Sequence, residues 1–390
     1  MSAPAAQRQA SDGVLPSKYE NSTLYRIKLR LQFTGWLQFI PNALIALVCM
    51  LGASIAWLVA GGASLFCWLP GAVAAVFLAV LIYDLGTMKL NLRPFERTPV
   101  PLNGLDAFEL MRARRSCRSF QSRDLTPAHR AELLDAVRQH SQQGQLLGDR
   151  PIRFEYVAAP LTVWPTLGAH EFLVAIAPKE YNRLAVLDVG RSLQKVVLHA
   201  TRMGLGTCWI GPGADQRSIA LHLGDRFDPN QDHVICVCAV GYRSRYLPSY
   251  LWLMQRMLNR RLPLSELFFA DPSCKAPLPI EIPRFAAFGR CYEVCQWAPS
   301  SYNTQTTRCA AVMQTVSGQE RLVRFDFLAA TSSRYYAAVA VGIWCANWEL
   351  GCQALGLRGH LAVLSSEARG AKGALALPRY DVSWVVASDG

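Results

Sequence analysis

Three arginines and two serines lie close together in a short segment, Arg114-Arg115-Ser116-Cys117-Arg118-Ser119-Phe120. A guanidinium group presents planar, forked donors that match a phosphate or a carbonyl edge, and a neighbouring hydroxyl adds a further donor. The candidate ligands for a phosphorylated molecule are therefore Arg114, Arg115, Ser116 and Arg118. The alternative for this segment is a basic patch that contacts lipid headgroups.

A second segment, far downstream, has the composition of a loop that lies against a flat ligand. It reads Ala298-Pro299-Ser300-Ser301-Tyr302-Asn303-Thr304-Gln305. Proline and small hydroxyl residues let the backbone approach a ring closely, and an asparagine amide can hydrogen-bond the ring's polar edge. The alternative is an ordinary turn between a helix and a strand. The candidate binding residues here are Pro299, Ser300, Ser301, Asn303 and Gln305.

Two further stretches could contribute to the same site. Gly204-Leu205-Gly206-Thr207-Cys208-Trp209-Ile210-Gly211 ends a predicted helix, and the glycines at 211 and 213 permit close backbone approach to a ligand. A helix cap followed by a core strand is the alternative. Asn259-Arg260-Arg261-Leu262-Pro263 could close on a phosphate or be a solvated basic face. These stretches add Ile210, Gly211, Gly213, Arg260 and Arg261 to the candidates.

All four segments resemble motifs of the nitroreductase family, in the family's order, over roughly residues 105–370. The second segment is similar to the family pattern APSSxNxQPW, except that Thr306-Thr307 follows Gln305 in place of Pro-Trp. The resemblance implies an FMN enzyme that binds NAD(P)H transiently and works by a ping-pong mechanism. Because the flavin carries the chemistry, the resemblance implies no catalytic side chain and no metal.

The resemblance also implies roles for individual residues. Arg114 and Ser116 would face the FMN phosphate, and Arg118 would face the N1–O2 edge of the flavin. The backbone after Gly204 would pass near N5, and the basic pair at 260–261 would close on the phosphate. The segment at 298–305 would cover the ring, as it does from the partner subunit in dimeric members of the family.

Predicted helices and strands place these segments in two similar halves. Helices are predicted over 106–115, 126–140 and 184–203, and strands over 152–158, 171–177, 207–210 and 234–240. A second set comprises helices over 285–297 and 335–355, and strands over 308–314 and 320–327. Val189-Gly190 corresponds to Val341-Gly342, and Gly204-Leu205 to Gly356-Leu357, at a constant offset of 152 residues. Matching pairs on equivalent helices indicate an internal duplication.

The two halves have lost complementary motifs. The first half has no APSSxN segment after its 126–140 helix, and the second half has no RRSxR before its 285–297 helix. The expected fold class is therefore α+β: a nitroreductase-like pseudo-dimer of two helix/antiparallel-sheet halves in one chain, with a single composite site.

Between Leu31 and Tyr83 the chain contains no Asp, Glu, Lys or Arg. Leu37–Ala60 and Ser64–Tyr83 would each be about 30–36 Å long as helices, enough to cross a bilayer about 30 Å thick. We therefore predict a two-helix transmembrane hairpin; a hydrophobic hairpin buried in a soluble protein is the alternative.

Basic residues flank the uncharged run on both sides, at 18–30 and at 89–97. By the positive-inside rule, both termini and the catalytic part should be cytosolic. Much of the basic charge behind the net charge of +12 would then face anionic lipid, and we expect no nucleic-acid partner. The twelve cysteines include no CxxC pair and suit reduced, buried thiols.

The predicted organisation is a loose or interfacial segment at 1–30, the hairpin at 31–84, a linker at 85–105, and nitroreductase-like halves at 106–270 and 271–390. The leading functional hypothesis is a membrane-anchored FMN oxidoreductase that reduces a nitro, quinone or similar small-molecule acceptor. The alternatives are an inactive flavin-binding scaffold or sensor of the same fold and a related flavin chemistry such as reductive dehalogenation.

Overall fold

The computed structural model describes residues 23–33, 35–62, 65–211, 213–257, 259–316, 318–370 and 377–387. Most of the predicted N-terminal segment, at 1–22, lies outside these ranges. The helices are α1 Thr23–Phe33, α2 Ile40–Ala60, α3 Leu65–Met88, α4 Ala107–Ala113, α5 Pro127–Ser141, α6 Arg183–Arg202, α7 Gln216–Leu223, α8 Ser249–Met257, α9 Pro283–Ala286, α10 Gly289–Gln296 and α11 Tyr336–Ala354. The strands are β1 Arg153–Ala158, β2 Glu171–Pro178, β3 Gly206–Ile210, β4 Asp232–Gly241, β5 Phe268–Phe269, β6 Thr307–Val316, β7 Gln319–Ala329, β8 Gly359–Ala362 and β9 Arg379–Val386.

Helices α2 and α3 form an apolar hairpin that packs on itself. Both are long and apolar enough to cross a membrane, over Ile40–Val59 and Leu65–Met88. Only 11% and 6% of their apolar windows are buried in the fold, which argues against a hairpin hidden in a soluble core. Helix α3 continues past the predicted end at Tyr83 and includes the buried Asp84.

The first sheet is antiparallel, with strand order β1-β2-β4-β3, and α6 packs against it. The second sheet has the order β5-β6-β7-β9-β8 and is mixed, since β5 pairs in parallel with β6 and the other pairs are antiparallel. The nitroreductase-like α+β fold expected from the sequence is thus present, preceded by two long apolar helices. All twelve cysteines are free thiols.

The predicted helix over 285–297 is instead two shorter helices, α9 and α10. The helix is interrupted between them at Ala287 and Phe288, and the backbone angles of Phe288 are not helical. Phe288 packs between Phe325 and Trp348, with ring centroids 5.0 and 5.6 Å away. Burial of this ring against Phe325 and Trp348 accounts for the loss of helical continuity at this point.

The two halves meet where α6 crosses α11 at a pair of glycines. A Cβ atom added to Gly190 would overlap the carbonyl oxygen of Val339, and one added to Gly342 would overlap the carbonyl oxygen of Leu187. The offset of 152 residues that relates Gly190 to Gly342 also relates Leu187 to Val339. The contact is therefore symmetric, as expected where two copies of one unit pack about a local twofold axis.

Replacing Gly342 by alanine should destabilise the protein by about 1–3 kcal/mol, because overpacking at this crossing forces the helix backbones apart. The measurement is the thermal unfolding midpoint of the detergent-purified protein. Gly289→Ala in α10 is the matched control, since nothing lies within 4 Å of its added Cβ. Equal midpoints for the two variants would contradict the close crossing.

Candidate functional site

A cavity of about 410 Å³ lies between the two halves. Both halves contribute to its wall, together with α8 and the segments before α2. Twelve of the fourteen residues predicted to bind the cofactor line it: Arg114, Arg115, Ser116, Arg118, Ile210, Gly211, Gly213, Arg261, Pro299, Ser300, Ser301 and Asn303. Motifs that are nearly two hundred residues apart in sequence are thus brought into one site.

Helix α4 delivers the basic segment to the cavity. It begins with a capping box in which the Glu109 amide donates to the Asp106 carboxylate at 2.7 Å and the Asp106 amide donates to Glu109 at 2.9 Å. After α4 ends, the Cys117 amide donates to the Thr207 carbonyl at 2.8 Å. Ser116 and Thr207 form an isolated parallel β-bridge. The segment is therefore fixed to β3 as an added edge.

Four arginines concentrate positive charge at the cavity. Arg114 is only 5% exposed, and Nη1 of Arg114, Nε and Nη1 of Arg118 and Nε of Arg261 are buried without hydrogen-bond partners. Among the ion pairs of the described residues, none involves these three arginines or Arg115. Buried donors that lack partners are costly, so this arrangement suits an anionic ligand.

Burial and mutual repulsion lower the pKa values of two arginines in this cluster. Burial, together with the charges of Arg261 and Arg115, lowers the pKa of Arg114 to about 10. Burial and the charge of Arg115 lower the pKa of Arg261 to about 10. Both groups stay cationic at neutral pH. The guanidinium groups of Arg115 and Arg261 both lie over the Trp297 ring, 5.0 and 5.3 Å from its centroid, in cation–π contact.

The downstream segment is a loop braced against residues 260–262. Arg261 donates to the Ala298 carbonyl at 2.9 Å, Asn303 donates to the Arg260 carbonyl at 2.7 Å, and the Leu262 amide donates to the Gln305 side chain at 2.9 Å. Positive φ angles of 49°, 56° and 49° at Tyr302, Asn303 and Gln305 give the loop a tight, strained course. These bonds hold it in that course.

Arg260 and Gln305 do not line the cavity. The Arg260 carbonyl accepts from both Asn303 and Gln305, and the Gln305 amide donates to the Ser300 hydroxyl at 2.9 Å. Both residues thus hold the loop in shape, and their predicted contact with a cofactor stays a prediction.

The loop after β3 approaches its neighbours closely. A Cβ on Gly213 would overlap the carbonyl oxygen of Trp164. The backbone amide of Trp164 in turn donates to the Gly213 carbonyl at 2.8 Å. A Cβ on Gly211 would come within 3.2 Å of the Tyr336 ring. Glycine is required at 213 by the backbone of the opposite loop, and at 211 it leaves the Tyr336 ring room beside the cavity.

Several lining residues were not predicted from the sequence. Lys28, Gln32 and Leu37 come from α1 and its connection to α2, and α8 supplies Tyr250, Met254 and Gln255. Gln255 donates to the Ser116 carbonyl at 3.3 Å. No local motif marks these residues, since they reach the site only through long-range packing. The remaining aromatic lining consists of Trp164, Trp209, Tyr302, Tyr335 and Tyr336.

Residues 106–350 match the family model described as "Putative TM nitroreductase", more than half of the chain. The chain belongs to this nitroreductase family. It therefore has the fold of the family's flavin oxidoreductases, which confirms the resemblance found in the motifs. Among curated proteins, none matches the chain.

Among solved structures, the chain is similar to several nitroreductases of low sequence identity. A "putative nitroreductase" from Thermotoga maritima is 14% identical, with 75% of this chain and 97% of that chain covered and a TM-score of 0.42. A nitroreductase with bound FMN from Bacteroides fragilis is 16% identical, with 37% and 91% covered and a TM-score of 0.29. A nitroreductase family protein from Clostridium novyi is 18% identical, with 36% and 87% covered and a TM-score of 0.31.

Replacing Arg114 by methionine should raise the thermal midpoint of the ligand-free nitroreductase, because it removes a buried charge that lacks a partner. It should also weaken the binding of FMN, the cofactor expected from the sequence, by about 10- to 100-fold, since a charge-assisted hydrogen bond contributes roughly 1.5–3 kcal/mol. Thermal unfolding and quenching of FMN fluorescence measure the two effects.

Arg183→Met is the matched control for this prediction. Arg183 is also largely buried, but its Nη2 donates to the buried Asp381 carboxylate at 2.8 Å. Its loss should lower the midpoint, because it leaves a buried carboxylate unpaired. If Arg114→Met destabilised the ligand-free protein as much as Arg183→Met does, the Arg114 charge would be structural.

Proposed function

We propose that this chain is a membrane-anchored, FMN-dependent oxidoreductase that passes a hydride from NAD(P)H to a nitro, quinone or similar acceptor. The observation that carries the proposal is the cluster of arginines without carboxylate partners in a cavity walled by aromatic and glycine residues. A phosphorylated, flat cofactor matches both properties, and a nitroreductase relative is described with FMN bound.

The chain's own residues divide the work of holding this cofactor. Arg114, Ser116 and Arg261 would hold its phosphate, and Arg118 would lie at the polar edge of the ring. When bound, FMN supplies reversible two-electron hydride transfer. A fixed positive charge at Arg118 favours hydride uptake, because it stabilises the negative charge that arrives. Pro299, Ser300, Ser301 and Asn303 would cover the ring from the second half.

A comparison with a second cavity supports a single cofactor per chain. The 152-residue offset between the two halves relates lining residues of the first cavity to lining residues of the second. That cavity is lined by Arg191 and Leu361, the equivalents of Ile343 and Trp209 in the first. Its positive charge is compensated: Glu349 accepts from Arg191 at 2.7 Å, and Lys195 lies 2.7 Å from the same carboxylate. An ion-paired wall offers no unsatisfied donors to a dianionic phosphate.

The inactive-scaffold alternative is disfavoured by where the departure from the family pattern lies. Thr306 and Thr307 replace Pro-Trp, yet neither lines the cavity. Thr307 begins β6 and is buried, and the Ala330 amide donates to the Thr306 carbonyl at 2.8 Å. The substitution therefore lies in the start of a sheet strand and leaves the cavity wall intact.

The same proposal places the chain in a lipid bilayer with the catalytic part and both termini in the cytosol. The two apolar helices are joined by a short connection, so both ends of the hairpin lie on one side. Basic residues flank these ends, at Lys28 and Arg30 before α2 and at Lys89 and Arg93 after α3. Positive flanks favour the cytosolic side.

The detergent-purified protein should be yellow, and NADH or NADPH should bleach its flavin absorbance, which returns when a quinone is added. Arg118→Ala should slow bleaching by at least about tenfold, because loss of one preorganised charge weakens hydride uptake. Arg112→Ala is the control, since Arg112 is exposed and makes only a surface pair with Glu293. Colourless protein that FMN cannot reconstitute would exclude the proposal.

The protein should remain in the membrane fraction after an alkaline carbonate wash, because two spans of 20 and 24 residues bury apolar surface in the lipid. Peripheral proteins are released under these conditions, and detergent should be required to extract this chain. Arg118→Ala should behave as the wild type in this assay. Release of the chain into the carbonate supernatant would contradict membrane insertion.

A further inference from the structure

Helix α8 connects the apolar hairpin directly to the cavity. At its first residue, the Ser249 amide and hydroxyl donate to the Asp84 carboxylate of α3 at 3.1 and 2.9 Å. Asn42 of α2 donates to the Ser249 hydroxyl at 2.7 Å. Near its other end, Gln255 bonds the Ser116 carbonyl. One short helix thus joins the base of the hairpin to the anion-binding segment.

The two faces of α8 differ in their surroundings. Tyr250, Met254 and Gln255 line the cavity. Trp252, Leu253 and Met257 are 52%, 51% and 72% exposed, although all three are large and apolar. A helix with an exposed apolar face beside a membrane span suits the interface, where such side chains contact lipid.

The chain just before α2 also lines the cavity. Lys28 and Gln32 of α1 and Leu37 of the following connection line it, and that connection runs straight into α2. Trp36 is exposed and lies under the Lys89 ammonium, 4.8 Å from ring centroid to nitrogen. An aromatic ring and a cation at the end of a span mark the level of the lipid headgroups.

We propose that the acceptor is a lipid-dissolved quinone, which enters the cavity from the bilayer between α1 and α8, past Leu37 and Met254. The inference rests on the proposed function and names its acceptor class. In the net reaction the quinone takes a hydride from NAD(P)H and a proton from water. NAD(P)⁺ and a quinol that carries both electrons and two added hydrogens are released, and the quinol returns to the lipid.

The chemistry of this entrance fits a quinone with an apolar tail. Gln32 and Gln255 offer amide donors to the two carbonyl oxygens of the head, and the Tyr250 ring offers an aromatic face. Leu37 and Met254 contact a tail but add nothing for a small water-soluble nitro compound. The exposed apolar face of α8 continues that surface toward the hairpin.

The test uses full-length protein in phosphatidylcholine vesicles and two benzoquinones with the same head, one with a decyl tail and one without. Wild type should reduce the tailed quinone with a kcat/KM at least about tenfold higher, since hydrophobic complementarity of this size discriminates by roughly 10- to 200-fold. Met254→Lys should abolish that preference, so that the ratio of the two kcat/KM values falls to about one. Met254→Leu should retain the preference.

Leu221→Lys is the control for an added charge, because Leu221 is exposed on α7 and away from the cavity lining; it should behave as the wild type. Equal rates for the two quinones in wild type, or a preference that survives Met254→Lys, would overturn the proposal.

A binding readout separates this inference from the proposed function. A photoreactive azidoquinone with a decyl tail should label peptides from α1 or α8 in the wild type, and excess decyl quinone should prevent the labelling. Met254→Lys should reduce labelling by at least about tenfold. Labelling confined to other segments would refute entry at this point, even if the flavin chemistry is correct. Specific labelling with no NAD(P)H oxidation would instead refute the proposed function and retain the site.

Discussion

The close crossing of α6 and α11 is the constraint on which the rest of the molecule depends. Gly190 and Gly342 allow each helix to touch the backbone of the other. The first turns of α11 thereby reach the cavity through Val339 and Ile343, while the end of α6 leads into β3 and the loop that carries Gly211. With bulkier residues at the crossing, the two halves would separate and the two walls of the site would no longer face each other.

The arginines at the cavity differ from other buried arginines in their ion pairing. Two buried arginines away from the cavity have carboxylate partners: Arg183 pairs with Asp381 and Arg191 with Glu349. Within the described residues the arginines at the cavity have none, although Arg114 is as buried as Arg191. Uncompensated buried charge lowers stability unless a ligand supplies the counter-charge. The cavity at the offset-related position offers a comparison, because Arg191 and Glu349 in its lining form an ion pair.

Much of this architecture could be predicted from local sequence patterns. Helices α6 and α11 were predicted to within a residue or two of their ends, since both have long apolar repeats and stop at glycine. The repeat offset predicted that Gly190 and Gly342 occupy equivalent positions, but not that the two helices cross at them. The binding segments were predicted from residue types whose chemistry is specific. Twelve of those candidates line the cavity, and their contact with a cofactor stays a prediction.

The remainder depends on contacts that sequence does not encode locally. Strand β8 pairs with β9, about twenty residues further along the chain, and the break at Phe288 lies where its ring packs against Phe325 and Trp348. The contribution of α8 depends on Asp84, a buried acid at the end of an apolar helix, which bonds Ser249 across 165 residues of chain. Arg260 and Gln305 belong to the predicted motifs but lie outside the cavity lining, a distinction that depends on the backbone geometry of the loop.

Calorimetric titration of FMN into the flavin-free, full-length protein tests the composite site most directly. The predicted result is a single FMN per chain, with affinity lost when either wall is changed, by Arg114→Met in the first half or Ser301→Trp in the second. Binding of two FMN per chain, no binding, or full affinity in the Ser301→Trp protein would contradict the account.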